Sequence, residues 1–169
     1  MLARVALPAG MILAALTGGC GYSLSGNLPG HIKTVAVPVF KNRTEVPAVE
    51  NTITAAVINA FVSSGRLKVV ALDQADSVLE GEIVAYSIDA ISFNPGINVQ
   101  EYRLRVVVNI QFRDVRENSM LWRQDGLQQQ SDFQVAGQVS DTISRQDAAA
   151  RDAAVDIGRR IVALAVDRF

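Results

Sequence analysis

The 169-residue chain has little of what reaction centres are commonly built from. It has one cysteine, so it can form neither an internal disulfide framework nor a multi-cysteine metal site. It has one histidine, which excludes the two-histidine metal signatures and leaves a His-dependent triad little room. Neither sign of charge is in excess: 16 Lys and Arg face 17 Asp and Glu, for a net charge of −1. A protein that coats nucleic acid needs a surplus of cations on one face, so no nucleic-acid partner is expected. A hydrophobic fraction of 49% with 20% charged residues is globular and excludes disorder, and the length suits one domain.

Long apolar runs are also absent after the N-terminus. Arg4 is followed by Val5–Leu16, twelve apolar residues broken in composition only by Pro8 and Gly10, and then by Thr17, Gly18, Gly19 and Cys20. A basic start, a short apolar core and small residues before a cut describe a secretory signal peptide over 1–19. The run is too short for a membrane span, which takes roughly 20 apolar residues. The single cysteine directly after Gly18-Gly19 resembles a bacterial lipobox, in which a cysteine thiolate takes a diacylglyceryl group and becomes residue one. Leu is usual three positions before that cysteine; here Thr17 stands there, with Leu16 one step further out. N-acyl and S-diacylglycerol modification of Cys20 is therefore expected, anchoring the protein to a membrane, since two or more chains hold stably. By analogy with bacterial lipoproteins, Gly21 in place of Asp points to the outer membrane. The mature chain would have 150 residues and a net charge of −2.

Residues 20–30 read as a lipidated tether rich in Gly, Ser, Asn and Pro, and 31–169 as one domain. Ile32–Phe40 is β-branched and apolar, a strand with Pro38 near its end. Lys41–Pro47 reads as a loop. Pro47–Ser64 is a helix whose apolar face is Val49, Ile53, Ala56, Val57, Ala60 and Phe61, with Gly65 as its left-handed cap. Leu67–Ala71 is a brief strand. Ser77–Phe93 is a long one whose alternation slips near Ala85–Tyr86, and Asn94-Pro95-Gly96 is a turn. In Val99–Asp114, Tyr102, Leu104, Val106, Val108, Ile110 and Phe112 alternate with Glu101, Arg103, Arg105, Val107, Asn109, Gln111 and Arg113. That is a strand with one dry and one wet face. Met120–Val135 is the next strand, and Ser144–Asp167 a second helix opened by a capping-box-like Ser144-x-x-Asp147. The expected fold is α+β: a two-layer sandwich with two helices on one face of a mostly antiparallel four-stranded sheet plus a short edge strand.

Catalytic sets are not found. There is no Gly-x-Ser-x-Gly elbow, and Gly21–Gly26 has P-loop glycine spacing but Asn27 where lysine is needed. His31 reads as a solvated loop histidine, and Glu80 and Glu82 as surface charges rather than an acid–base pair. Arg103, Arg105 and Arg113 form a basic row that can either grip phosphate or pair with neighbouring carboxylates. Gln128-Gln129-Gln130 suits a wet contact or an exposed edge equally.

Five features together resemble the LPS-assembly lipoprotein family LptE. They are Cys20-Gly21-Tyr22-Ser23-Leu24 after a lipobox, the strand Thr34–Phe40 and the helix that follows it. The others are Glu101-Tyr102-Arg103-Leu104-x-Val106-x-Val108 followed by Phe112-x-Asp114, and the Ala-rich last helix. The resemblance implies a small sandwich with two helices on one sheet and no enzymatic activity, cofactor or metal. It also implies a place in the outer membrane as a plug inside the β-barrel LptD, helping that barrel assemble and lipopolysaccharide reach the outer leaflet. The turn Phe93–Asn98 has no Lys or Arg. Contact with lipopolysaccharide is accordingly expected of Arg103, Arg105 and Arg113. A competing reading is a periplasmic scaffold or activator of a cell-envelope enzyme such as a peptidoglycan synthase, with the sheet docked on that enzyme.

Overall fold

The computed structural model describes residues 28–135 and 137–166; the signal-peptide segment, Cys20 and the first part of the tether lie outside them. The elements run β1 (Thr34–Ala36), β2 (Lys41–Asn42), α1 (Val49–Ser64), β3 (Lys68–Val69), a 3₁₀ turn (Leu72–Gln74), β4 (Ser77–Phe93), β5 (Val99–Asp114), β6 (Ser119–Gln134) and α2 (Val139–Val166). The strands make one six-stranded sheet in the order β3-β1-β4-β5-β6, with β2 further along β4. β4, β5 and β6 are antiparallel, whereas β1 pairs β3 and β4 in parallel and β2 pairs β4 in parallel.

The expected α+β sandwich with two helices on a sheet is present, but the sheet is mixed and six-stranded rather than four-stranded with one edge. The difference arises within Ile32–Phe40. Pro38 has no N–H for a ladder, and the Phe40 N–H leaves the sheet to donate to the buried Thr54 hydroxyl at 3.0 Å. One expected strand therefore becomes β1, and the presumed loop after it supplies β2.

β5 makes the core. Leu104, Val106, Val108, Ile110 and Phe112 are buried on its inner face. β4 keeps the same side only because of a bulge: Ile83 pairs with Val108 and Ala85 with Val107, so Val84 is extra. Leu79 and Ile83 point inward before the bulge, and Tyr86 and Ile88 pack on the core after it. This is the slip visible near Ala85–Tyr86. β6 has its own irregularity at Asp125-Gly126, where Gly126 takes φ +65° and donates its N–H to the Asn109 side chain at 2.8 Å.

α1 buries Val49, Ile53, Thr54, Val57 and Phe61, and Gly65 caps it at φ +63° as expected. It starts after Ala48 rather than at Pro47. α2 begins at Val139, five residues before the expected start; Ser144 lies within it, its hydroxyl donating to the Ser140 carbonyl at 3.0 Å. α2 crosses α1 closely at Gly158, where a Cβ would stand 2.8 Å from the Ala56 carbonyl oxygen and 3.2 Å from the Ala60 Cβ.

Gly81 leaves space on β4 for the Phe40 ring, and an added Cβ would clash with three atoms of that ring. Gly81→Ala is expected to lose about 1–3 kcal/mol, the usual cost of overfilling a packed core. Much of that loss should return when Phe40→Leu is added, as measured by urea unfolding of the two singles and the double.

Candidate interaction surfaces

Both helices cover the inner face of the sheet, so the outer face is bare. On β5 it presents Glu101, Arg103, Arg105, Val107, Asn109, Gln111 and Arg113, the residues that alternate with the buried set. The neighbouring strands decide what each arginine does. Arg103 lies between Asp89 on β4 and Asp132 on β6. It grips Asp132 with a fork, Nε to Oδ1 and Nη2 to Oδ2, both at 2.7 Å. That fork holds the Asp132 carboxyl below the usual carboxylate range and raises the Arg103 guanidinium further. Arg113 reaches Glu80 only loosely, at 3.9 Å. Arg105 lies between Ser87 and Gln130 and has no partner among the described residues.

Arg103 and Arg105 are one side-chain step apart on the face. Arg113 is ten residues from Arg103, roughly 33 Å along the strand. The expected row is thus two neighbours and a distant third. Glu80 and Glu82 are surface carboxylates on this same side, Glu82 accepting from Arg43 at 2.7 Å. Of the glutamine run, Gln128 and Gln130 face outward opposite Val107 and Arg105. Gln129 turns inward, and its amide donates to Asp156 of α2 at 3.2 Å.

At the far end of the sheet, the β4–β5 turn leaves Phe93 and Ile97 exposed, with Ile97 in the left-handed region at φ 61°. Val135 is tied beside it, its N–H donating to the Gln100 carbonyl at 2.9 Å. The opposite end, where the chain comes in from the tether, is clamped. The Asp76 carboxylate accepts from the Thr34 hydroxyl at 2.7 Å and from the N–H groups of Thr34 and Lys33. These bonds, the hydroxyl foremost, lower its pKa.

His31 corrects the expectation of a solvated loop residue. It is half-buried, with Nε2 2.6 Å from Oδ2 of Asp114, which is fully buried at the end of β5. The other Asp114 oxygen accepts the Glu117 N–H at 3.0 Å. Burial alone would raise the Asp114 carboxyl, but the Glu117 N–H and His31 outweigh it and hold it below the ordinary value of 3.8. The pair is separated by 83 residues, and no local pattern announces it. His31, Asp114 and Glu117 are the one grouping of metal-ligand type among the described residues. Both Asp114 oxygens are already committed within it, and it acts as a clamp. Asp132 and Asp76 likewise escape sequence reading because their partners lie far along the chain, on other elements.

A family model described as LptE, Lipopolysaccharide-assembly, matches residues 32–164. No curated protein matches the sequence. Among solved structures, the hypothetical protein CT253 from Chlamydia trachomatis is similar at 14% identity, covering 79% of this chain and 95% of its own, with a TM-score of 0.58. Protein XCC0632 from Xanthomonas campestris is similar at 11% identity, covering 84% and 90%, with a TM-score of 0.57. The rare lipoprotein B from Shewanella oneidensis is similar at 15% identity, covering 75% and 90%, with a TM-score of 0.50. These likenesses concern the fold. The family match spans most of the chain, and the protein belongs to the LptE family, whose members are non-catalytic lipoproteins. No helix among the described residues is long and apolar enough to cross a membrane.

The clamp has a pH signature. Because its folded-state pKa lies below 3.8, ionised Asp114 stabilises the fold above that value, and the contribution fades as pH falls through the lower folded-state value. In urea unfolding from neutral pH down to about pH 2, Asp114→Asn is expected to lose about 1–3 kcal/mol at neutral pH and to converge with the parent at the acid end.

Proposed function

We propose that the protein is an outer-membrane lipoprotein, acylated on Cys20, that plugs and helps assemble an LptD-type β-barrel and takes part in delivering lipopolysaccharide to the outer leaflet. The observation that carries this reading is the family match over residues 32–164 on a body whose sheet has one bare, polar face. A plug inside a barrel must meet a polar lumen wall, and the outer face of β5 from Glu101 to Arg113 offers amides and charged side chains, with Val107 as its one apolar residue.

The dimensions support the reading. β5 has 16 residues. At about 3.3 Å each it separates the tether end from the β4–β5 turn by roughly 50 Å. A hydrocarbon core is about 30 Å thick, so a body tethered at one leaflet reaches across a barrel wall. Among the arginines, Arg105 is the best placed for a phosphate on lipopolysaccharide. It is exposed and unpaired, whereas an anion taking Arg103 must displace Asp132. Arg113, far along the strand, would meet a different part of the ligand or of the barrel.

A photocrosslinking residue in place of Gln128 or Gln130, with depletion in parallel, tests the assignment. Capture of a large outer-membrane barrel protein, together with loss of surface lipopolysaccharide on depletion, is the expected result. Capture of a peptidoglycan synthase, with the barrel maturing normally, would replace this reading with that of an envelope-enzyme activator. Arg105→Glu is expected to change folding stability by no more than about 0.5 kcal/mol, as for an unpaired surface side chain, while lowering lipopolysaccharide captured from neighbouring positions. Cys20→Ala is expected to release the body from the membrane.

A further inference from the structure

α1 and α2 run parallel. β1 and β6 point the same way through β4 and β5, and each helix returns against its preceding strand. On the side away from the sheet the two helices enclose an open groove of about 860 Å³. Its walls include Ala55, Asn59 and Ser63 from α1 and Ala154, Val155 and Val162 from α2. None of its lining residues is acidic. Arg66, Arg151 and Arg159 stand along it; Arg159 contacts Asp156 at 3.4 Å, and the guanidinium groups of the other two have no partner among the described residues.

The groove opens directly where the chain comes in. Arg66 and Val166, at its lower end, also line a smaller hollow with Leu28, Pro29 and Ile32. Leu28 is the first described residue, so the segment before it begins at the mouth of the groove. The α1 wall runs from Thr52 to Ser64, about 20 Å of helix at 1.5 Å per residue. The eight residues Cys20–Asn27 reach at most about 26–29 Å when extended, enough to run its length.

We propose that the tether segment Gly21–Asn27 docks in this interhelical groove, with Tyr22 and Leu24 as its anchors. Two residues apart in an extended chain, these side chains point the same way. The rest of the segment is Gly, Ser and Asn, small and uncharged, which suits a groove walled by alanines. A Tyr22 ring on those alanines lies within reach of the unpartnered guanidinium groups, a favourable cation–π arrangement. Cys20 then lies at the Thr52–Arg151 end of the helix pair. The lipid leaves the body about 20 Å from Leu28, and the tether becomes a strap that orients the body instead of a free leash.

Full-length lipoprotein carrying Ser63→Cys in the groove, or Val62→Cys outside it, tests this by maleimide labelling, both in membranes and after purification. The groove cysteine is expected to react slowly. Adding Tyr22→Ser with Leu24→Ser should speed it about tenfold, equivalent to 1.4 kcal/mol of docking, and leave Val62→Cys unchanged. Leu24→Cys with Asn59→Cys, midway along the groove, should form a disulfide within one molecule. Rapid labelling of Ser63→Cys in the parent overturns the proposal. A disulfide only between two molecules assigns the groove to a second copy. Protection lost on stripping bound lipid, or on removing residues 167–169, and unaffected by the tether substitutions, assigns it to a lipid or to the other end of the chain. Each of these outcomes refutes the strap.

Discussion

A single layer of helices covers a single face of the sheet, and the rest of the molecule follows from that. A sixteen-residue strand with only one covered face must alternate without error, because a slip of one residue moves every side chain to the wrong side. β5 does so, with Leu104, Val106, Val108, Ile110 and Phe112 inside and the arginines outside. Its two neighbours hold to it by local irregularities. Were Val84 paired in a regular ladder instead of bulged, Ser87 and Asp89 would face the core while Tyr86 and Ile88 faced water. At Asp125-Gly126, β6 makes a comparable adjustment and returns Leu127 and Phe133 to the core. Tyr102 and Phe133 then stack across the pair at 5.5 Å, and Phe112 meets Trp122 at 5.9 Å.

What the chain reveals without coordinates is what its local periods carry. The bounds of β4 and β5, the face of α1, the Gly65 cap and the slip in β4 all depend on residues within a few positions of one another, so they are legible. Strands are legible where β1 and β3 lie, but β2 and the parallel pairing of all three are not. β1, β2 and β3 are two or three residues long and are held by partners tens of residues away, and a parallel pairing leaves no turn between its members. The start of α2 is hidden because its first turn, with Val139 and Ile143 exposed, buries no apolar face, and Ser144 imitates a cap one turn too late. The candidate site divides in the same way. The arginine row on β5 is visible as a period of two. Which arginine is bound and which is free depends on Asp132 and Gln130 of β6, and that register is a tertiary fact. His31 and Asp114 are the extreme case.

The outer face is thus not uniformly available. A side chain already gripped by a neighbour is held in one rotamer, but its partner must be displaced before it can bind anything else. An unpaired one carries no such competing bond and gains fully from a new anion. Arg103 and Arg105, adjacent on the strand, differ in this respect. The first stiffens the β5–β6 edge, and the second is the open position. The clamps at Asp76 and Asp114 add stiffness at the other end, where the chain coming from the tether would otherwise enter the sheet through the very short β1. A pull on the chain ahead of Leu28 meets two carboxylates, Asp114 buried and Asp76 partly so, with several bonds each, before it reaches the parallel ladder.

The helix layer carries its own constraint. α1 and α2 cover the sheet as a pair only if they approach closely, and Gly158 against Ala56 and Ala60 permits that approach. Small residues at a crossing bring backbones together, but they also leave the outer side of the crossing hollow. Larger side chains from either helix could fill the hollow only by pushing the helices apart, which would expose Phe61, Ile157 and Ile161 beneath them. A tight inner seam and a filled outer groove are therefore incompatible within the pair itself. Whatever fills the groove must come from outside the two helices, and the polypeptide whose path begins at Leu28 starts at its mouth.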